Sequence, residues 1–243
     1  MIIEVEGFIL NEINYGETSK IIYVITKDHG LISIMCKGAK SIKSKNRATT
    51  LKYTYALFNI YYKENKLSTL KSADIINPLK NIKSDITLIS YITYLSELTY
   101  QVIKQSNDND IYNDFINTIL KIEKGLDPLV LTNILELKYL DKLGVLFDLN
   151  ECCKCGNKTN IVTISSDAGG YICKKCLTNE LIVSPKVIKM IRMYYYVNIK
   201  SISALKVDND TKNIINEFLN NYYERYTGLY LNSKKFLNNI IKI

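Results

Sequence analysis

The sequence predicts an α+β protein in which a small β domain precedes a largely helical region. Three observations support this prediction. Short runs rich in Ile, Val and Tyr fill residues 1–76, apolar residues then recur at helical spacing, and two pairs of cysteines interrupt the helical pattern. We therefore expect a β domain, a set of helices and a compact cysteine module within 243 residues.

The first part of the chain carries strand-like runs separated by turn residues. Ile21–Ile25 and Leu31–Cys36 flank a polar turn that ends in glycine, and Leu57–Tyr61 and Leu67–Leu70 flank a second polar turn. About five strands with little helix predict a small barrel, although the same pattern also fits a small β-sandwich. The pattern alone does not separate these two architectures.

Helical periodicity begins after Asn77 and Pro78. The residues that share one face of the first long helix are Leu88, Ile92, Leu95, Leu98 and Val102. The predicted helix starts are Asp110, Asp127 before Pro128, Ser184 before Pro185, and Asp210. Gly125 and Gly144 are predicted helix ends. The helix between Pro128 and Gly144 is apolar on more than one face, so we expect it to be well buried.

Four of the six cysteines form two pairs with the spacing of a metal site. Two residues separate Cys152 from Cys155, two separate Cys173 from Cys176, and seventeen lie between the pairs. A two-residue gap lets one tight turn direct both sulfurs of a pair at one tetrahedral ion, and Gly156 permits the left-handed backbone that closes such a turn. This is the spacing of a four-thiolate zinc site.

The predicted Zn²⁺ is structural, with one ion per chain, because four cysteine ligands leave no coordination position for water. Its negatively charged thiolates are partly offset by Lys154, Lys158, Lys174 and Lys175. Cys153 is an alternative to Cys152, but a C-x-C pair makes a poorer chelating turn. A redox dithiol and unrelated buried cysteines are the alternatives to a metal site. Cys36 stands in a predicted strand and is expected in the core.

The net charge of +8 is distributed unevenly along the chain. Residues 1–80 carry a net charge of +5, residues 81–150 a net charge of −4, and residues 151–243 a net charge of +7. A polyanion such as a nucleic acid is therefore expected to meet the two ends of the chain rather than its middle.

The basic loop, residues 37–52, is rich in cations and contains no acidic residue. Its cationic residues, which we predict to contact DNA phosphates, are Lys37, Lys40, Lys43, Lys45, Arg47 and Lys52. Tyr53 and Tyr55 follow and are candidates for stacking on bases, although such tyrosines are more often core residues. The alternative is an ordinary solvated loop.

Several functional classes are disfavoured by the residues that the sequence lacks. The one histidine, His29, lies in a predicted turn without the partners of a catalytic triad, and no phosphate-binding G-x-x-x-x-G-K-[ST] motif occurs. Asp108, Asp110 and Asp114 fit helix capping better than a calcium loop. No apolar run reaches the ~18 residues of a membrane span, so we expect a cytoplasmic protein without membrane association and with reduced thiols.

Several segments, in order along nearly the whole chain, resemble the RecO family of DNA-repair mediators. They are Gly7–Leu10, Tyr15–Lys20, Thr26–Gly30, Lys37–Lys40, Cys152–Gly156, Gly169–Cys176 and Gly228–Leu237. The resemblance implies an N-terminal OB-fold over residues 1–78, a helical region over 79–150, an inserted zinc module over 151–178, and helices over 179–243 that complete the helical domain.

The resemblance also implies a function in DNA repair and recombination. It implies a protein without enzymatic activity that binds single- and double-stranded DNA and anneals complementary strands in the RecF pathway. The implied partners are RecR and single-strand-binding protein, with RecA loaded indirectly, and the implied location is the nucleoid. An RNA-binding or translation-associated zinc protein is the alternative function, and a nuclease is a third class that the near absence of histidine disfavours.

Overall fold

The computed structural model describes residues 1–106, 108, 110–145 and 148–241. These residues form two compact units, of which the first comprises Met1–Lys124 with residues 231–241 and the second comprises Gly125–Tyr230. The predicted domain limits at residues 78, 150 and 178 remain predictions.

Five strands come first along the chain, followed by helices and a second group of short strands. The strands of the first sheet are β1 (Ile2–Tyr15), β2 (Ser19–Thr26), β3 (Gly30–Cys36), β4 (Tyr55–Tyr61) and β5 (Ser68–Asn77). The helices that follow are α1 (Lys80–Ser84), α2 (Ile86–Gln105), α3 (Asp110–Glu123) and α4 (Pro128–Lys142). The remaining elements are β6 (Asp148–Cys152), β7 (Ile161–Ser165), β8 (Gly170–Cys173), α5 (Pro185–Tyr196), a 3₁₀ turn (Ile199–Ser201), α6 (Asn209–Tyr226) and α7 (Asn232–Ile241).

The first five strands close into a barrel in the order β1-β2-β3-β5-β4, with β4 pairing back to β1. All neighbours are antiparallel except β3 and β5, which are parallel at Ile34 and Ser68. Every second side chain of the central strands enters the core, as expected for the period of a strand; examples are Ile22, Val24, Ile32, Ile34, Phe58 and Ile60. The barrel is the OB-like architecture, so the α+β class and the barrel are confirmed and the sandwich alternative is wrong.

The long strand β1 pairs with both β2 and β4, and it contains a β-bulge. The register with β2 shifts between Ile9 and Asn11, and the backbone of Ile9 pairs with Tyr53 and Thr54 at the end of the basic loop. A bulge bends a strand and increases its twist, which helps a short sheet to close. The basic loop is therefore attached to the barrel at the point where β1 bends.

Gly7 is the position in β1 where a side chain would not fit. A Cβ atom there would lie 2.5 Å from Val24 Cγ1 and 2.8 Å from the carbonyl oxygen of Ile25. The second contact is with backbone, so the neighbouring strand would have to move. We expect Gly7→Ala to lower the free energy of unfolding by about 1–3 kcal/mol, the usual cost of overpacking.

Chemical denaturation of Gly7→Ala beside Glu4→Ala tests this expectation. Glu4 is an exposed residue of the same strand, so its replacement should change the free energy of unfolding by less than about 0.5 kcal/mol. Equal stability of Gly7→Ala and the wild-type chain would contradict the close approach of β1 and β2.

The barrel and the helices of the first unit share buried contacts. The Glu6 carboxylate accepts hydrogen bonds from the hydroxyls of Tyr55 and Tyr112, and Phe8 packs edge-to-face on Phe115 at 5.0 Å between ring centroids. Burial raises the pKa of Glu6, but the two hydroxyls and nearby Lys27 outweigh it and hold that pKa below its usual value. The fold therefore favours the charged carboxylate at this junction.

The predicted face of α2 is confirmed, and its cap was missed. Ile92, Leu95, Leu98 and Val102 are fully buried, with Leu88 half-buried above them. The helix is capped by Asp85, whose Oδ1 accepts from the backbone nitrogens of Thr87 and Leu88. The side chain thereby satisfies two amides that a helix start leaves without partners.

The predicted caps of α3 and α6 are wrong, because in each case the capping aspartate lies two residues earlier in the chain. Asp110 lies within the first turn of α3, and its backbone nitrogen donates to Asp108 Oδ1 at 2.8 Å. Asp210 likewise lies inside α6, which Asp208 caps by accepting from the backbone nitrogen of Thr211. A cap side chain must precede the amides that it satisfies, and the earlier aspartate meets that requirement in both cases.

The other helix predictions in the second unit are confirmed. Asp127 caps α4 with Pro128 in the first turn, and eleven of the fifteen α4 residues are buried. Ser184 occupies the cap position of α5, although its side chain makes no capping hydrogen bond. None of the helices in the described ranges combines the length and apolar character that a membrane crossing requires.

Candidate metal centre and nucleic-acid interface

The four predicted cysteines meet at one point of the second unit. The sulfurs of Cys152, Cys155, Cys173 and Cys176 all lie within 4.8 Å of one another, and those of Cys155 and Cys173 are 3.6 Å apart. These pairs are distant in sequence, so only the folded chain brings them together. The four side chains lie close enough to hold a metal ion.

A small sheet positions both cysteine pairs. The strand order is β6-β8-β7, and each pair begins at a strand end, Cys152 at the end of β6 and Cys173 at the end of β8. The chain then turns tightly, because the Cys155 nitrogen donates to the Cys152 oxygen and the Cys176 nitrogen donates to the Cys173 oxygen. Gly156 has φ +71°, the left-handed backbone predicted for it.

The segment between the pairs forms a β-hairpin. Strands β7 and β8 are antiparallel, and the backbone nitrogen of Gly169 donates to the oxygen of Ser165 at the return. Gly169 has φ +85°, so a residue without a Cβ atom suits the turn. The hairpin fixes the distance between the two pairs.

The local electrostatics favour a thiolate at Cys152. Burial raises the pKa of Cys152, but backbone N–H groups of Cys173, Lys154 and Cys155 outweigh it and lower that pKa to about 6. The pKa of Cys176 is raised, chiefly by its hydrogen bond with Cys155. Without a metal the cluster therefore retains protons that a bound cation would displace.

The two remaining cysteines lie outside the cluster. Cys153 is exposed and is not a member of the cluster, whereas Cys152 is buried and belongs to it. Cys36 is buried in the barrel core, where burial raises the pKa of its thiol to about 12. The preference for Cys152 over Cys153 and the core position of Cys36 agree with the sequence analysis.

Lysines surround the cysteine cluster, as expected. Lys174 and Lys175 are exposed beside it, whereas Lys154 forms an ion pair with Glu180 at 2.9 Å and also donates to the Cys176 carbonyl oxygen. Backbone N–H donation from Thr178 and the Lys154 ammonium lower the pKa of Glu180 to about 2. Lys154 therefore fixes the second cysteine turn as well as balancing charge.

The basic loop is folded onto the barrel. Ala39 and Thr50 are buried at its two ends. The backbone nitrogen of Lys40 donates to the Thr18 carbonyl oxygen at 2.8 Å. Gly38 donates its backbone N–H to Ser19 Oγ at 3.1 Å. These contacts hold the loop against the barrel, so its cations project from a fixed base.

Successive turns order the interior of the basic loop. Backbone N–H groups donate to carbonyl oxygens three residues earlier from Ser41 to Gly38, Ser44 to Ser41 and Arg47 to Ser44. The cationic side chains that this backbone leaves exposed are Lys37, Lys40, Lys43, Lys45 and Arg47. A backbone ordered before binding reduces the entropy cost of gathering these charges on a polyanion.

The tyrosines after the basic loop do not serve as a pair of stacking surfaces. Tyr55 is buried and its hydroxyl donates to Glu6, so its ring is part of the fold. Tyr53 is half-buried, and the Lys52 ammonium lies 5.4 Å from its ring centroid. The core interpretation is therefore right for Tyr55.

A surface groove that the sequence analysis missed lies in the first unit, between β1, α2 and α7. This α2–α7 groove has a volume of about 810 Å³. Among the residues that line it are Asn11, Lys52, Tyr100, Gln101, Lys104 and Phe236. They come from four separate segments, so no local pattern in the sequence indicated them.

His29 and the aspartates near residue 110 have structural roles. His29 packs beside Tyr62 in a turn, with ring centroids 4.9 Å apart, and its backbone nitrogen donates to Thr26. In the described ranges, the cysteine cluster is the one group of His, Cys, Asp or Glu close enough to hold a metal. Of the aspartates near residue 110, Asp108 acts as a cap, because its Oδ1 accepts from the backbone nitrogen of Asp110.

Comparison with known proteins gives a consistent result over nearly the whole chain. A family model for the N-terminal part of recombination protein O matches residues 1–79, and one for its C-terminal part matches residues 83–235. DNA repair protein RecO of Bacillus pumilus is 31% identical over 242 residues, which cover 98% of this chain and 94% of the relative.

Two further relatives show the same level of similarity. DNA repair protein RecO of Bacillus subtilis is 31% identical, and that of Listeria monocytogenes serovar 1/2a is 30% identical, each over 98% of this chain and 94% of the relative. The matches include the barrel with its basic loop and the helical region with its cysteine module. With both family models and full-length relatives in agreement, the chain belongs to the RecO family of DNA repair proteins.

Proposed function

We propose that this chain is a recombination mediator that binds single- and double-stranded DNA through the basic loop and anneals complementary strands without covalent catalysis. The observation that carries the proposal is the ordered, acid-free basic loop on an OB-like barrel in a RecO family chain. Small barrels of this type commonly bind single strands by combining cationic and aromatic groups.

The proposed mechanism of annealing is electrostatic. Two complementary strands repel each other through their phosphates, and bound cations screen that repulsion. The basic loop holds one strand, and the cationic residues of 151–243 hold a second. Base pairing itself then supplies the driving force, so no nucleotide hydrolysis is needed.

The cysteine cluster is proposed to hold one structural Zn²⁺ per chain. A Zn–S bond of about 2.3 Å places the sulfurs of a tetrahedral site about 3.8 Å apart. The 3.6 Å between Cys155 and Cys173 and the 4.8 Å limit for all four are close to that requirement. Zinc would cross-link the β6 and β8 turns and stabilise the second unit rather than take part in DNA chemistry.

Partners are proposed from the family rather than from any surface of this chain. RecR and single-strand-binding protein are the proposed protein partners, and together they would allow RecA to load on protein-coated single strands. The competing function, RNA binding, is tested by competition between DNA and RNA of one sequence. Preference for the RNA would favour that alternative.

The chain is expected to accelerate annealing of complementary oligonucleotides by roughly ten- to thousandfold, the range that electrostatic attraction provides for association rates. Fluorescence quenching between two labelled strands measures the rate. The acceleration should be equal with and without ATP, and it should decrease as salt is raised because screening then competes with the protein.

A non-complementary pair of labelled strands is the control for simple aggregation. A rate no higher than that of the free strands, or an absolute requirement for ATP, would contradict annealing even if DNA binding is observed.

A further inference from the structure

The α2–α7 groove carries positive charge on two of its walls. Lys52, the last cation of the basic loop, lines one side, and Lys104 of α2 lines another, so the groove continues the surface of the loop. Glu97 is the one acidic side chain among the described lining residues, and it is engaged by the Ser233 backbone nitrogen at 2.8 Å and by the Ser233 hydroxyl. The groove therefore favours an anionic occupant.

Planar side chains and amides occupy the space near these lysines. Phe236 of α7 lines the groove with 45% of its surface exposed. The Lys104 ammonium lies 4.0 Å from the ring centroid of Tyr100, a cation–π contact at the edge of the groove. Asn11 and Gln101 add amide groups of the type that pair with base edges.

This composition fits a nucleotide better than a peptide. Peptides dock through aliphatic or aromatic anchors that enter apolar pockets. The one aliphatic residue among the described lining residues is Leu10, and it is 2% exposed, so it offers almost no surface to an anchor. A base, in contrast, needs a ring surface, amides and cations for its flanking phosphates.

We propose that the α2–α7 groove receives an unstacked base of single-stranded DNA, with Phe236 contacting the base and Lys52 and Lys104 contacting the flanking phosphates. The inference rests on the proposed DNA binding and adds a path that continues from the basic loop. A base in a duplex is held in its stack, so this contact is selective for single strands.

The test compares two single-stranded probes, an oligothymidylate and an oligonucleotide of the same length whose sugars lack bases. Phe236→Ala should weaken oligothymidylate binding by about tenfold, because base–aromatic stacking has that size, and should leave binding of the abasic probe and of a duplex unchanged. Phe236→Tyr keeps the ring and should bind like the wild-type chain. Lys104→Gln should weaken both single-stranded probes and lower the salt slope by about 0.7.

The outcomes separate this inference from the proposed function. If Phe236→Ala binds all probes like the wild-type chain, the groove holds no base and the inference is wrong. An equal loss on the abasic probe would also overturn the inference, because the contact would then be with the backbone. Failure of the wild-type chain to bind any DNA would instead overturn the proposed function.

Discussion

Replacing Cys176 by serine is expected to reduce bound zinc from about one ion per chain to almost none. Serine removes the thiolate, and the three remaining sulfurs no longer complete the tetrahedral site. The same result is expected for Cys152→Ser. Elemental analysis of the purified proteins measures the zinc content directly.

The loss of metal should also destabilise the second unit. Structural zinc contributes about 10–16 kcal/mol of apparent binding free energy in small zinc domains, which is comparable with a whole domain's stability of about 5–15 kcal/mol. Zinc would cross-link the β6 and β8 turns, so we expect faster proteolysis between residues 151 and 178 once it is lost. Thermal unfolding and limited proteolysis measure these effects.

Cys153→Ser is the matched control, since Cys153 is an exposed cysteine next to a cluster member but outside the cluster. It should retain zinc and the stability of the wild-type chain. Full zinc content in Cys176→Ser would contradict the four-cysteine site. Loss of zinc in Cys153→Ser would assign the first pair to Cys153 instead.

Neutralising the basic loop is expected to produce the second large effect. Replacement of Lys37, Lys40, Lys43, Lys45 and Arg47 by alanine should reduce the slope of log affinity against log salt by about 0.7 per lost phosphate contact on single strands, or about 3.5 in all. Affinity should decrease similarly for all sequences, because phosphate contacts carry no base information. Binding titrations across a salt series measure both quantities.

A charge-matched comparison tests whether the location of the cations is important. Lys40, Lys43 and Lys45 replaced together should reduce the slope by about 2. Lys63, Lys66 and Lys71 are exposed lysines of the same barrel outside the loop, and their joint replacement removes the same charge. Equal slopes for the two triple variants would show a diffuse effect of net charge, and an unchanged slope in the loop variant would place DNA on residues 151–243.

The two candidate sites differ in how much they depend on a precise arrangement of side chains. The cysteine cluster needs four side chains in one arrangement, so a single substitution is expected to abolish metal binding. The basic loop is proposed to act through the sum of its charges, so single substitutions should have small effects and combined ones large effects. Metal content and DNA affinity are therefore expected to change independently in the variants described above.

The sequence by itself determined the features that depend on local geometry. Two residues between cysteines already define a chelating turn, and alternating apolar residues already define the strands of a small β domain. The family resemblance follows from segments distributed in order along the chain, and the matches over residues 1–79 and 83–235 confirm it. The cation cluster of the basic loop can also be read directly, since charge does not require a fold.

The identity of two helix caps could not be decided from the sequence, because two aspartates near each helix start fit the cap pattern. Each of two helices begins near an Asp-Asn-Asp segment, at residues 108–110 and 208–210. Either aspartate fits a cap pattern, and only the position of the first helical amide selects the earlier one. Tyr55 was similarly ambiguous, and the hydrogen bond of its hydroxyl to Glu6 decides its role.

The tertiary structure alone decided what depends on distant segments. Closure of the barrel requires β3 to pair with β5 and β4 with β1, pairings that the strand pattern does not specify. The α2–α7 groove exists because residues 231–241 return to the first unit and place Phe236 near Lys104 and Lys52. Sequence spacing constrains neighbours within a turn or strand, whereas contacts between segments more than a hundred residues apart are fixed only by packing of the folded chain.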